Sequence, residues 1–137
     1  MTKSSNKTTY TYAIGRRKSA VSSVKLFAGQ VDSVVNGLEI SKYFPGEHYK
    51  KLYNQPFTVT GTDHKYYFQS KIVGGGKNGQ LAALTLAISR ALKKIDPTSY
   101  LSLLRSAGLL TVDSRVRQRR MVGTGGKSRR QKQSPKR

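Results

Sequence analysis

The chain contains no cysteine and no tryptophan, and only six of its 137 residues are Asp or Glu. Without cysteine it can form neither disulfide bonds nor thiolate metal sites. The carboxylates are scattered singly and the two histidines, His48 and His64, are isolated, so the sequence offers no acid–base pair, no Ser/His/Asp constellation and no metal-ligand spacing. We therefore expect no enzymatic activity, no cofactor and no metal.

Long apolar runs are also missing. No segment approaches the ~20 apolar residues that a membrane span requires. Residues 1–9 are polar and do not resemble a secretory signal. The sequence therefore predicts no membrane partner, and residues 1–9 are predicted to form a flexible polar arm.

What the chain has in excess is positive charge. It carries 26 Lys and Arg, which gives a formal net charge of +20. Ten of these basic residues lie in 114–137, a segment with no acid, and the first 113 residues remain near +10. A segment so charged and so poor in apolar residues cannot offset its own ordering entropy. We therefore predict an extended basic tail over 114–137 that binds a polyanion, of which nucleic acid is the favoured class.

The first half of the body is predicted to be mainly β structure. Apolar and polar residues alternate in 10–14, 20–26 and 66–73, which predicts strands. Further strands are predicted over 31–35, closed by a turn at Asn36-Gly37, and over 57–60. Two short helical pieces are predicted over 39–44 and 47–54, separated by Pro45-Gly46.

The second half changes to a helical period. One apolar stripe is formed by Leu81, Leu84, Ile88, Leu92 and Ile95, with Thr85, Ser89 and Lys93 towards the other side. Asp96-Pro97 is typical of a helix start, and Gly108 suits the position just beyond the end of that helix. The fold class is thus α/β or α+β, with helices on one side of a small sheet. Residues 10–113 are predicted to form a single globular domain.

Three features are candidates for nucleic-acid binding. Arg16, Arg17 and Lys18 form either a phosphate clamp or a solvated strand edge, and the clamp is favoured because no acid lies nearby in sequence. The glycine-rich loop at 74–79 either holds a phosphate at a helix N-terminus or permits close packing. The aromatic run Tyr66, Tyr67 and Phe68 is interpreted as core or cross-strand pairs rather than a platform for bases.

Several motifs occur in one order along the chain: Gly15-Arg16-Arg17-Lys18-Ser19-Ala20-Val21, Gly74-Gly75-Gly76 with Gly79-Gln80, Ser89-Arg90-Ala91-Leu92, Leu104-Arg105 with Ala107-Gly108-Leu109, Asp113-Ser114-Arg115 and Lys136-Arg137. Over about residues 12–137 the series closely resembles small-subunit ribosomal protein nine of the bacterial and organellar type. The resemblance implies a four-stranded sheet similar to the second domain of ribosomal protein five, with a left-handed βαβ crossover. It also implies a structural role in the head of the small ribosomal subunit.

In that family the body binds the 3′ major domain of the rRNA, and the tail reaches the anticodon stem-loop of P-site tRNA. Carried over to this chain, the tRNA contact falls to Lys136 and Arg137. The implied rRNA contacts are Arg16, Arg17, Lys18, Gly74, Gly75, Gly76, Lys77, Gly79, Gln80, Arg115, Arg117, Arg119, Arg120, Lys127, Arg129, Arg130 and Lys132. The implied protein neighbours are the seventh, tenth and fourteenth small-subunit proteins, and no free homo-oligomer is expected.

The sequence departs from the family pattern at several positions. Ser134-Pro135 replaces an aromatic anchor near the tip, Thr85 and Leu86 stand where many relatives have Arg-His, and Val112 replaces an Arg. These departures and the N-terminal arm favour a plastid (chloroplast) ribosome over a bacterial one. The alternative to a ribosomal protein is a free-standing basic protein that compacts nucleic acid.

Overall fold

The computed structural model describes residues 9–126 and Ser128, and within them the chain folds into one sheet and four helices. The strands are β1 (Thr11–Arg17), β2 (Ala20–Ala28), β3 (Val34–Val35), β4 (Leu38–Glu39) and β5 (Tyr66–Val73). The helices are α1 (Ile40–Tyr43), α2 (Glu47–Thr60), α3 (Lys77–Ile95) and α4 (Pro97–Ser106). The helices pack on one side of the sheet, so the predicted fold class is confirmed.

The sheet has five strands in the order β1-β2-β5-β3-β4, where the resemblance implies four. The difference lies in β3 and β4, strands of two residues each that pair across a turn at Asn36 and Gly37. The φ angles of these two turn residues are 49° and 81°, the positive values that a two-residue hairpin requires. The predicted Asn-Gly turn is confirmed, but the strand predicted over 31–35 is reduced to its last two residues.

One connection in the sheet is a crossover. β1, β2 and β5 are antiparallel neighbours, whereas β3 and β5 run parallel. A parallel pair cannot be joined by a tight turn, and here the connection contains β4, α1 and α2. The βαβ unit that the resemblance implies is therefore present, and its left-handed sense stays a prediction.

In β2 and β5 the inner face of the sheet follows the predicted alternation, whereas in β1 the apolar side chains of Tyr12 and Ile14 are exposed and Ala13 is buried. In β2 the buried residues are Ala20, Ser22, Val24 and Leu26, and in β5 they are Phe68, Ser70 and Ile72. Two serines lie on this apolar face, and their hydroxyl groups form a hydrogen bond with each other: the oxygens of Ser22 and Ser70 are 3.0 Å apart. The pairing explains how two hydroxyl groups can be buried between strands without loss of a polar partner.

Helix α3 is the centre of the core. Its predicted stripe is confirmed at Leu81, Leu84, Ile88 and Leu92, which are all buried. Ser89, predicted to lie towards the other side from this stripe, is also fully buried, and its hydroxyl donates to the Thr85 carbonyl at 2.8 Å. The reason is that α3 packs against β1 and β2 on one side and against α2 and α4 on the other. A helix with two packed sides buries more than one stripe.

Helix α2 is longer than predicted, and the strand predicted over 57–60 is instead its last turn. The helix continues through Pro56, which has no N–H to donate to the Leu52 carbonyl. The Thr85 hydroxyl of α3 donates to the Leu81 carbonyl of its own helix at 3.0 Å and lies 3.4 Å from the Leu52 carbonyl. Phe57 is buried and its ring stacks against that of Phe68. Tertiary contacts therefore maintain a helix that the proline disfavours locally.

Helix α4 begins and ends as predicted. The Asp96 carboxylate accepts hydrogen bonds from the amides of Thr98 and Ser99, both at 3.2 Å. A hydrogen bond with the Ser99 side chain, followed by those from the Ser99 and Thr98 amides, lowers the pKa of Asp96. Gly108, with φ of 71°, reverses the chain beyond the helix, after which Leu109 and Leu110 pack against the core. None of the helices in the described part of the chain has the length and apolar character needed to cross a membrane.

Candidate nucleic-acid interface

The tip of the β1–β2 hairpin and the glycine-rich loop pack directly on each other. A Cβ atom added to Gly74 would lie 2.5 Å from the Ser19 carbonyl oxygen, and one added to Gly75 would lie 2.9 Å from the Cβ of Ala20. Both glycines also have positive φ angles, 75° and 68°. These glycines therefore serve close packing, the second of the two interpretations drawn from the sequence. The same packing brings the loop beside Arg17, Lys18 and Ser19.

Arg17 connects this hairpin to the start of the tail. Its guanidinium donates to the Arg115 carbonyl at 2.7 Å and to the Asp113 carbonyl at 3.3 Å, and it pairs with the Asp113 carboxylate at 3.1 Å. The argument that no acid is available to pair with the three adjacent cations is therefore wrong for Arg17. Its partner lies 96 residues away in sequence. Arg16 and Lys18 remain exposed at the same tip.

Asp113 binds two arginines at once. The Arg115 side chain donates to its carboxylate through Nε at 2.9 Å and Nη2 at 2.8 Å, and the Arg115 amide donates at 3.1 Å. These hydrogen bonds, followed by the charges of Arg115 and Arg17, hold the pKa of Asp113 far below its usual range, and the same carboxylate raises the pKa of Arg115. One carboxylate for two guanidinium groups leaves a net positive charge. We call this set of residues, Arg17, Asp113 and Arg115, the tail anchor.

Beyond the tail anchor the chain is open and basic. Residues 111–121 form neither helix nor strand, and Arg117, Arg119 and Arg120 are exposed. The other predicted contacts of the tail lie outside the described residues: Lys127, Arg129, Arg130, Lys132, Lys136 and Arg137.

The first turn of α3 contributes to the same end of the molecule. Its N-cap is Gly76, which has no side chain to accept from the first amides of the helix. Lys77 donates to the Tyr43 carbonyl at 3.2 Å and lies 3.6 Å from the centre of the Tyr43 ring. Gln80 accepts from the Tyr43 hydroxyl at 2.9 Å and donates to the Gly74 carbonyl at 3.1 Å. Lys77 and Gln80 thus hold the loop and α1 in place, while Gly79 faces the hairpin backbone, where an added Cβ would lie 3.5 Å from the Arg17 carbonyl oxygen.

A second group of cations lies along β1 and did not enter the predicted site. Arg90 Nη1 donates to the Ile14 carbonyl at 2.8 Å, and Lys94 Nζ donates to the Tyr12 carbonyl at 2.6 Å. Lys93 is exposed beside them. Their spacing on a helix was a visible signal, because positions 90, 93 and 94 share one face. The contact of that face with β1 could not be read from the sequence.

The aromatic run does not offer free stacking surfaces. The Tyr67 ring stacks on Phe27, its cross-strand partner, with centroids 5.1 Å apart, and Phe68 is buried against Phe57. The interpretation as core and cross-strand pairs is confirmed. Within residues 9–126, no three Asp, Glu or His side chains converge as metal ligands would.

Thr85 and Leu86, two positions where the sequence departs from the family pattern, face the helical layer. Thr85 is partly buried, with its hydroxyl 3.4 Å from the Leu52 carbonyl of α2, and Leu86 is only 6% exposed. Both residues line a surface cavity that His48, Leu52 and Leu109 also line. A side chain at either position in this chain therefore contacts α2 or the turn after α4 rather than the hairpin tip.

Comparison with known proteins identifies similar chains. The family model described as Ribosomal protein S9/S16 matches residues 15–137. The chain is 40% identical over 111 residues to the small ribosomal subunit protein uS9 of Arthrobacter sp. (strain FB24), an alignment that covers 81% of this chain and 66% of that protein. It is 44% identical over 112 residues to uS9 of Rickettsia conorii (strain ATCC VR-613 / Malish 7), with 82% and 70% covered. The chain thus spans about two thirds of the length of these relatives.

Proposed function

The chain belongs to the Ribosomal protein S9/S16 family, and from this premise we propose that it is a structural, non-enzymatic constituent of the small ribosomal subunit. In this proposal it lies in the head of the subunit and binds the 3′ major domain of the rRNA. The relatives named above carry the small-subunit name, and this supports the role. The observation that carries the proposal is the tail anchor, which joins a tail without acids to a basic hairpin on a body that is itself strongly positive.

The tail anchor gives the proposal a physical mechanism. A freely jointed basic tail would bind RNA in many arrangements and would lose conformational entropy on binding. Here the first residues of the tail are already held against the hairpin, so the exposed side chains of Arg16, Lys18 and Arg117 start from one surface. Guanidinium and ammonium groups pair with phosphate without reading sequence. The body then fixes the position of the protein on folded RNA, and the tail neutralises phosphates that are packed together.

The hairpin part of this mechanism can be tested with a charge-removal variant. In Arg16→Gln/Lys18→Gln, both exposed cations are removed while Arg17 and its anchor remain. If each cation contacts one phosphate, the slope of log K against log salt should become less steep by about 0.7–0.9 per contact, the range between single strands and B-form duplexes. The probe is a transcript of the 3′ major domain, and the control is Lys51→Gln on α2, an exposed lysine away from the hairpin.

An equal salt slope for the hairpin variant and the Lys51→Gln control would contradict the proposed role of the hairpin. It would leave open a role for the tail, which the same measurement tests in a third variant, Arg117→Gln/Arg119→Gln. If none of these variants changes the slope, the proposed rRNA contacts as a whole are wrong.

The tip of the tail is proposed to contact P-site tRNA through Lys136 and Arg137. The support is the resemblance at the last two residues, which lie outside the described part of the chain. Trimming the pair should weaken retention of P-site tRNA and leave subunit assembly nearly intact. The length-matched variant Lys136→Gln/Arg137→Gln separates charge from reach. Equal tRNA affinity of subunits with and without the pair would defeat this part of the proposal.

Two further parts of the proposal concern location and neighbours. The proposed protein neighbours are the seventh, tenth and fourteenth small-subunit proteins, as the family resemblance implies. The plastid location rests on the departures at Thr85, Leu86, Val112 and Ser134-Pro135, whereas the relatives named above are bacterial. Purification of small subunits from isolated plastids, followed by peptide mass spectrometry, tests the location directly.

A further inference from the structure

β1 is the edge strand of the sheet, and its outer side is shielded by cations. In the register of the β1–β2 hairpin, Arg17 pairs with Ala20 across a two-residue turn, so alternate residues such as Tyr12 and Ile14 direct their backbone groups away from β2. The carbonyls of these two residues accept hydrogen bonds from Lys94 and Arg90. Two carbonyls that an added strand would use are thus already occupied.

Arg90 and Lys94 also retain hydrogen-bond donors that these backbone contacts do not use. Arg90 donates to Ile14 through Nη1, one of three guanidinium nitrogens, and an ammonium such as that of Lys94 has three donors of which this contact uses one. Lys93 lies next to them and is exposed. Among residues 9–126, no carboxylate lies within 4.0 Å of any of these three cations. Their positive charges are therefore held close together without a counter-charge from the described part of the protein.

We propose that Arg90, Lys93 and Lys94, together with the exposed ring of Tyr12, form a second nucleic-acid-binding surface, which binds the phosphodiester backbone of the RNA. We call it the β1-edge surface. The inference rests on the proposed function, because its ligand is the same rRNA. The backbone contacts of Arg90 and Lys94 fix the direction of both side chains before RNA binds, so less side-chain entropy is lost on binding. The Tyr12 ring, 43% exposed, stands beside them where a base can stack.

The β1-edge surface is continuous with the hairpin. From Tyr12 to Arg17, β1 spans roughly 16 Å at about 3.3 Å per residue. Arg16 is exposed between the two ends, and the tail anchor lies at the far end. A single RNA strand that follows β1 would therefore meet cations along its whole length. An added β-strand from a protein partner is disfavoured, because it would have to displace Lys94 and Arg90 from the carbonyls it needs.

Lysine acetylation of the full chain tests the inference at single residues. The protein is treated with an acetylating reagent, free and bound to the 3′ major domain transcript, and the modified peptides are quantified. We expect RNA to reduce the modification of Lys93 several-fold and to leave Lys51 on α2 unchanged. Lys18 on the hairpin reports the proposed function in the same sample.

The outcomes separate the two proposals. Protection of Lys18 without protection of Lys93 would overturn the β1-edge surface and leave the proposed function in place. Protection of neither lysine would count against both. Equal, low reactivity of Lys93 with and without RNA would mean that protein, not RNA, covers this edge, and would also overturn the inference.

A charge variant gives a second, independent measurement. Unlike Arg90 and Lys94, Lys93 donates no hydrogen bond to the β1 backbone, so Lys93→Gln should not disturb the edge strand. It should lower affinity for the same transcript by about 5-fold at 0.1 M salt, if one contact with a single-strand phosphate and a slope near 0.7 is lost. Lys51→Gln should stay within about 2-fold of the wild type. Equal affinities of the two variants would refute the inference.

Discussion

The packing of β1 against α3 leads to a quantitative prediction for Gly15→Ala. A Cβ atom at Gly15 would lie 2.0 Å from the Ala83 carbonyl oxygen and 2.7 Å from the Ala87 amide nitrogen. An ordinary contact begins at 3.4 Å, so the first distance is short by about 1.4 Å. Both obstructing atoms belong to the helix backbone and cannot move by a change of rotamer. The strand and the helix would have to separate, which loosens the centre of the core.

The magnitude follows from known overpacked cores. Extra methyl groups in a packed interior cost about 1–3 kcal/mol where side chains can adjust. Because only backbone movement can relieve this contact, we expect the free energy of unfolding to fall by about 3 kcal/mol or more, out of a total near 5–15 kcal/mol for a domain. Urea unfolding of the full chain, followed by circular dichroism, measures the change.

The matched control is Gly79→Ala in the first turn of α3. There an added Cβ would lie 3.5 Å from the Arg17 carbonyl oxygen, an ordinary contact. An alanine in a helix is favoured over glycine by about 0.5–1 kcal/mol, so this variant should gain stability or stay unchanged. If Gly15→Ala unfolds within about 0.5 kcal/mol of the wild type, the argument from close approach of β1 and α3 is refuted.

Three more predictions concern single contacts. Ser22→Ala leaves the buried Ser70 hydroxyl without its partner and should lower the free energy of unfolding in urea by about 1–3 kcal/mol. The double variant Ser22→Ala/Ser70→Ala should lose clearly less stability than the sum of the two single variants. Additive losses would contradict the pairing. Because the pKa of Asp96 is lower in the folded than in the unfolded chain, its ionised form stabilises α4 at pH values above the unfolded pKa near 3.9, and this stabilisation is lost as pH falls through the folded pKa. At pH values below about 4, the free energy of unfolding of the wild type should therefore decrease relative to that of Asp96→Asn. Parallel pH profiles of the two proteins would contradict this. Asp113→Asn removes the charge that holds Arg17, so trypsin should cleave the start of the tail faster than in the wild type; an unchanged cleavage rate would show that the tail anchor does not hold it.

The parts of the fold that were predictable are those encoded by local patterns. The alternation in 20–26 and 66–73 placed the correct side chains inside, because one face of each strand is buried. Asp96-Pro97 marked a helix start because the cap bonds involve residues two and three positions away. The Asn36-Gly37 turn was equally local, since it depends on positive φ angles at those two residues.

The errors come from contacts between distant residues. A strand is predicted over 57–60, but α2 continues through these residues, where Phe57 is buried and its ring stacks on that of Phe68. Ser89 is predicted towards the side opposite the apolar stripe, and a helical period cannot show that a second layer of the fold covers that side. Arg17 and Asp113 are separated by 96 residues, so no sequence window contains both. The candidate site was therefore predicted as a set of basic residues, and only the fold revealed which of them pair with each other.

The central claim is that this chain acts as part of the small ribosomal subunit rather than as a free protein that compacts nucleic acid. Sedimentation of a lysate from its native cells through a sucrose gradient at moderate salt, with the protein followed by an antibody, tests it most directly. We predict that the protein moves with the small-subunit particle before and after DNase treatment. Movement with the DNA, or release from every particle when DNA is digested, would contradict the claim.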